Sequence, residues 1–130
     1  MVDRQGELRA PRVLLVDDDI DILKALRAVL EDEGYEVLDA ADANEALPLL
    51  RSNPPPDVIL LDLMMPQMDG WALLQHMREN ADVPKIPVVI MSAARGAGAL
   101  IEPSLKFLKK PLDVATLLDA VREAASGPRP

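Results

Sequence analysis

Apolar residues along this chain fall into two rhythms. Short unbroken aliphatic runs, "RVLLV" at residues 12–16, "VILLD" at 58–62 and the centre of "KIPVVIMSA", have strand length and no alternation. That is the pattern of strands covered on both faces of a parallel sheet. Between the runs the spacing changes. Ile22, Leu23, Leu26, Val29 and Leu30 make a helical stripe that ends at Gly34, a residue suited to stopping a helix. "YEVLDA" reads as the second strand. Ala43, Ala46, Leu47 and Leu50 then share one helix face, with Asp42 or Asn44 as the cap and Pro48 as a bend. Pro54, Pro55 and Pro56 form a stiff connector, and a helix from about Trp71 to Asn80 turns Leu73, Leu74 and Met77 inward. In "AARGAGALIEP", where the next crossover helix belongs, Gly96 and Gly98 each cost about 1 kcal/mol relative to Ala, so a short or frayed helix is expected, closed by Pro103. "SLKFLKK" is the fifth strand, and Val114, Leu117, Leu118 and Val121 mark a last helix before the tail "SGPRP".

Five strands alternating with five helical patterns predict an α/β fold, its parallel strands joined by right-handed crossovers. The 130 residues suit one domain, and with 49% apolar but only 2% aromatic residues the core is built from aliphatic layers. The formal net charge of -8 argues against a nucleic-acid or anionic-membrane surface. The absence of cysteine excludes a disulfide framework and a thiolate zinc site. "MVDRQGELRAP" lacks the apolar stretch of a secretory signal, and no run approaches the roughly 20 residues that span a bilayer. A cytoplasmic location is the expectation.

In open α/β sheets, ligands bind at the carboxyl ends of the strands. Here those ends carry Asp17 and Asp18 after the first strand, Asp62 after the third, Ser92 after the fourth and Lys110 after the fifth. Neighbouring first and third strands would bring three carboxylates together. Each close pair repels by about 1 kcal/mol in water or about 4 at an intermediate effective dielectric. Relief comes from a raised pKa or from a hard cation that prefers oxygen ligands, and acids at this density without histidine or cysteine favour magnesium over zinc. Such an ion leaves positions for phosphate oxygens, which makes Asp62 a candidate nucleophile for phosphoryl transfer. Lys110 would add a second positive charge and the Ser92 hydroxyl a hydrogen bond to the phosphoryl oxygens.

The motifs "VLLVDDD", "VILLDLMMPQMDGW", "VVIMSA" and "FLKKP", in that order, resemble the receiver domain of bacterial two-component response regulators. The resemblance covers about residues 11–125, leaving 1–10 as an N-terminal extension and 126–130 as a tail, and no output domain is expected after residue 125. It implies a flavodoxin-like five-stranded parallel sheet of order 2-1-3-4-5 with helices on both faces. It also implies that Asp62 is the phosphoacceptor and that Asp17, Asp18, Asp62 and the backbone carbonyl of Met64 hold Mg2+ or Mn2+. Ser92 then matches the switch hydroxyl, Phe107 the aromatic that follows it, and Lys110 the family lysine, joined to Pro111 by a cis bond. The segment between Ser92 and Lys110 is shorter than the family usually has, and the shortfall lies in the glycine-bearing helix that contributes to the usual partner and dimer face.

The function expected is a phosphorylatable switch. A sensor histidine kinase or histidine phosphotransfer protein donates to Asp62, and a downstream protein reads the change, with neither nucleic acid nor membrane bound directly and dimerisation left open. The chain is not expected to be a turnover enzyme: the second acid of an aspartyl phosphatase would stand two residues after the nucleophile, where this sequence has Met64. The alternative is a receiver-like interaction module that works without phosphorylation. Blander roles go to Asp19 as a helix cap, Lys109 as a solvated edge charge, His76 as a surface residue, and Trp71, Met64, Met65 and Met68 as packing or loop contacts.

Overall fold

The structure is a computed structural model that describes residues 10–63, 70–80, 85–92 and 106–126, with Ser92 described by its backbone alone. Five strands, β1 (Arg12–Val16), β2 (Glu36–Ala40), β3 (Val58–Asp62), β4 (Val88–Ser92) and β5 (Lys106–Lys109), form one parallel sheet of order β2-β1-β3-β4-β5. This is the expected flavodoxin-like order. The strand register sets the tips beside one another: Val16 pairs with Ala40 and with Leu61, Asp62 with Met91, and Ser92 with Lys109. Four helices are described: α1 (Ile20–Asp32), α2 (Ala43–Leu50), α3 (Gly70–Glu79) and α4 (Val114–Ser126). Of the five helical patterns in the sequence, the one over 93–105 lies outside the described residues.

Strand alternation divides the core into two layers. Leu14, Val16, Ile59, Leu61 and Ile90 pack toward Ala46, Leu50, Leu73 and Met77 of α2 and α3. Val13, Leu15, Val58, Leu60, Val89, Met91 and Leu108 pack toward Leu23, Leu26, Leu30, Leu117 and Val121 of α1 and α4. Every residue of β1 and β3 is buried, which explains why those strands read as continuous apolar runs.

Local chemistry places the helix ends. Asp19 caps α1 by accepting from the backbone N–H groups of Asp21 and Ile22, so the helix begins at Ile20, two residues before the apolar stripe that announces it. Its far end is a Schellman turn. Gly34, at φ 93°, donates to the Glu31 carbonyl while Tyr35 donates to that of Leu30. For α2 the cap is Asp42 rather than Asn44, and Glu45 also reaches back to the Ala41 N–H. Pro48 is accommodated in the last turn of α2. At the amino pole of the sheet, the buried Asp57 carboxylate accepts from the Arg12 backbone N–H at 2.7 Å, and the Arg12 guanidinium bonds the Pro54 carbonyl. No helix of the described residues is long and apolar enough to cross a membrane.

Candidate functional site

Asp17 and Asp62 reach the carboxyl pole for the same reason. Each follows buried strand residues of the α1/α4 layer by two positions, Leu15 before Asp17 and Leu60 before Asp62. The register sets Val16 opposite Leu61, and the residue after each of them is the acid, Asp17 just past β1 and Asp62 at the end of β3. Asp17 continues the ladder toward β2 through its N–H to the Ala40 carbonyl at 3.1 Å. Lys110 stands two residues after Leu108 of the same layer, beyond the end of β5.

Three elements thus deliver charge to one place. Ligand oxygens of Asp17, Asp18 and Asp62 all lie within 4.8 Å of one another. Asp17 is fully buried, Asp62 is 5% exposed, and Asp18 is open to solvent, giving the cluster one wet side. The Lys110 ammonium donates to Asp17 Oδ2 at 3.0 Å and lies 3.5 Å from Asp62 Oδ2. The other Asp17 oxygen accepts from the Asp19 N–H at 3.0 Å. Burial lowers the Lys110 pKa, but the hydrogen bond to Asp17 and the charges of Asp17 and Asp62 more than offset it, so the value is raised above the usual 10.5.

Among the described residues, the three clustered carboxylates meet the one ammonium of Lys110, an excess of two formal negative charges, the charge of one divalent cation. The donors are all carboxylate oxygens, the set that suits Mg2+ or Mn2+. A nucleophilic carboxylate beside an ammonium and a dication site is an arrangement able to accept a phosphoryl group.

The sequence-predicted residues divide as follows. Asp17, Asp18, Asp62 and Lys110 come together. Ser92 ends β4, one residue past the Asp62–Met91 pair, with Lys109 across from it. Phe107 is half-buried against the α2/α3 layer, opposite Ile90. The peptide bond between Lys110 and Pro111 is cis, as the resemblance implied. Met64 lies outside the described residues, as do Met65 and Met68. Lys109 is exposed and Trp71 packs partly buried against the core. His76 is half-buried rather than on the surface, since α3 begins at Gly70 and its inner face takes in part of the ring; its Nε2 has no hydrogen-bond partner among the described residues. One residue that matters to the geometry was absent from the sequence expectations: Gly70, whose N–H bonds the Leu63 carbonyl at 2.8 Å directly behind Asp62. Its signal was a glycine between the strand-end acid and the next apolar stripe.

Residues 13–122 match the family model described as the response regulator receiver domain. Response regulator PleD of Caulobacter vibrioides is 38% identical over 115 residues, covering 85% of this chain and 25% of that protein. Protein PilH of Pseudomonas aeruginosa is 30% identical over 120 residues, covering 89% and 98%. The chain therefore spans a quarter of one relative and nearly the whole of the other. The structure of Vibrio cholerae chemotaxis protein CheY4 superimposes with a TM-score of 0.79 at 30% identity, covering 89% of this chain and 99% of that one.

Proposed function

We propose, from the premise that this chain belongs to the family of response regulator receiver domains, that it is a phosphorylatable switch with Asp62 as the phosphoacceptor. Receiver domains serve phosphorylation-based signalling in two-component systems, bind Mg2+ through acidic residues, and meet phosphodonors and downstream effectors. The observation that carries the reading is the convergence of Asp17, Asp18 and Asp62 with the Lys110 ammonium bridging Asp17 and Asp62.

In the proposed reaction an Asp62 carboxylate oxygen attacks the phosphorus of a phosphohistidine donor. The new O–P bond gives an acyl phosphate, and the donor's N–P bond breaks with its electron pair returning to the imidazole. Asp17 and Asp18, with Asp62 and the Met64 carbonyl, would hold the divalent cation, which neutralises charge on the phosphoryl oxygens. Lys110 answers the remaining charge by shifting from the Asp62 carboxylate to the phosphoryl group. Ser92 supplies a hydroxyl to the same group, and Phe107 follows it, repacking against the α2/α3 layer to alter the surface that a partner reads. A histidine kinase or histidine phosphotransfer protein is the proposed donor.

The test uses acetyl phosphate with Mg2+, read by intact mass. One phosphoryl group on the wild type, and none on Asp62→Asn or after chelation, is expected. Equal labelling of wild type and Asp62→Asn would reject the assignment, and partner binding indifferent to all three conditions would establish the phosphorylation-independent module instead.

A further inference from the structure

We infer that Gly70 is a positioning residue for the phosphoacceptor: its lack of a β-carbon lets the start of α3 rest on the Asp62 peptide and hold the tip of β3 in place. The inference rests on the reading of Asp62 given above. A β-carbon built at Gly70 would lie 2.4 Å from the Asp62 carbonyl oxygen, 2.7 Å from Leu63 Cα and 3.1 Å from the Asp62 carbonyl carbon. All three are backbone atoms, so no side-chain rotation relieves the contact. Restoring ordinary contact distances requires the chain to shift by about 1 Å. The shift falls on the Asp62 backbone itself, because the Gly70 N–H is bonded at 2.8 Å to the next carbonyl, that of Leu63. Alanine is the better helix former, so glycine at the head of α3 runs against propensity, and close approach supplies the reason for it.

A displacement of that size moves the Asp62 carboxylate relative to Asp17, Asp18 and Lys110, which sit on other elements and do not follow it. Misplacement of a reacting group by about 1 Å costs roughly 10²-fold in rate. Gly70→Ala should therefore bind Mg2+ at least about tenfold more weakly by calorimetric titration of the folded protein, and accept phosphoryl from acetyl phosphate roughly 10²-fold more slowly at saturating Mg2+. The control is Gly34→Ala. Gly34 has φ 93° and open space around an added β-carbon, at the far end of α1 from the site. That variant strains the backbone and lowers thermal stability while leaving Mg2+ affinity and labelling rate at wild-type values.

Mg2+ affinity and rate in Gly70→Ala equal to wild type would overturn the inference while leaving the phosphoacceptor reading intact. A wild type that takes neither Mg2+ nor phosphoryl would remove that reading first. Should Gly70→Ala be unfolded in buffer, the titration is repeated in trimethylamine oxide, which favours the compact state. A chain that still fails to fold, or folds there with wild-type affinity, would assign Gly70 to folding rather than positioning and likewise overturn the inference.

Discussion

Lys110 serves two carboxylates with one charge. Its ammonium sits 3.0 Å from Asp17 and 3.5 Å from Asp62, with a fifth of its side chain exposed, so it compensates buried charge without being fully desolvated. Breaking a wholly buried pair costs roughly 3–5 kcal/mol. Lys110→Met should cost about 2 kcal/mol without metal because water still reaches the site from the Asp18 side, and the loss should shrink as Mg2+ is titrated in, since a dication takes over the compensation. Urea unfolding with and without Mg2+ measures both. The sign with pH follows from the raised pKa. A cation whose folded-state pKa lies above its unfolded value contributes in full below the unfolded value and is lost as pH rises through the folded one. The advantage of wild type over Lys110→Met should therefore hold through neutral pH and fade above about pH 10.5. The same comparison cancels Tyr35, whose pKa is raised mainly by burial and whose titration weakens both proteins alike.

The acidic triplet of the first loop divides its labour between a helix and a site. Asp19 lies outside the carboxylate cluster and serves α1 through the N–H groups of Asp21 and Ile22, whereas Asp17 and Asp18 belong to the cluster. Asp19→Ala should cost about 1 kcal/mol, a few degrees in Tm, with Mg2+ affinity nearly unchanged, whereas Asp17→Asn should weaken Mg2+ binding. Differential scanning calorimetry in parallel with metal titration separates the two. These roles were largely legible in the sequence, because an oxygen-bearing residue just ahead of an apolar stripe is a cap signal and acids ending strands are a pole signal. β1, β3 and β4 were legible too, as runs without alternation. For the same reason the facing of β1 and β3 was not: with both faces buried, nothing in "RVLLV" says which residues meet α1 and which meet α2, and the shared facing of Asp17, Asp62 and Lys110 emerged only from the register. Gly70 escaped because a close approach between backbones leaves no trace in side-chain pattern. Arg12 and Asp57 escaped because a polar residue at the head of β1 and another just before β3 look like solvated loop.

Across the whole molecule the sheet order makes the chemistry. Placing β1 beside β3 sets Asp17 and Asp62 on adjacent tips, and Lys110, well over forty residues later in the chain, closes the group from beyond β5. Among the described residues the cluster carries two more negative charges than Lys110 supplies, and the rest of the fold holds it in place: aliphatic layers behind, helix caps at the side, a glycine contact beneath. The central claim is that this charge is held so that one carboxylate oxygen can take a phosphoryl group. It is tested most directly by treating the protein with a phosphodonor and Mg2+, reducing the acyl phosphate with tritiated borohydride to homoserine, and sequencing the labelled peptide. The label should fall on residue 62 and vanish in Asp62→Asn. Label at Asp17 or Asp18, or none in a protein that is fully folded, would contradict the account.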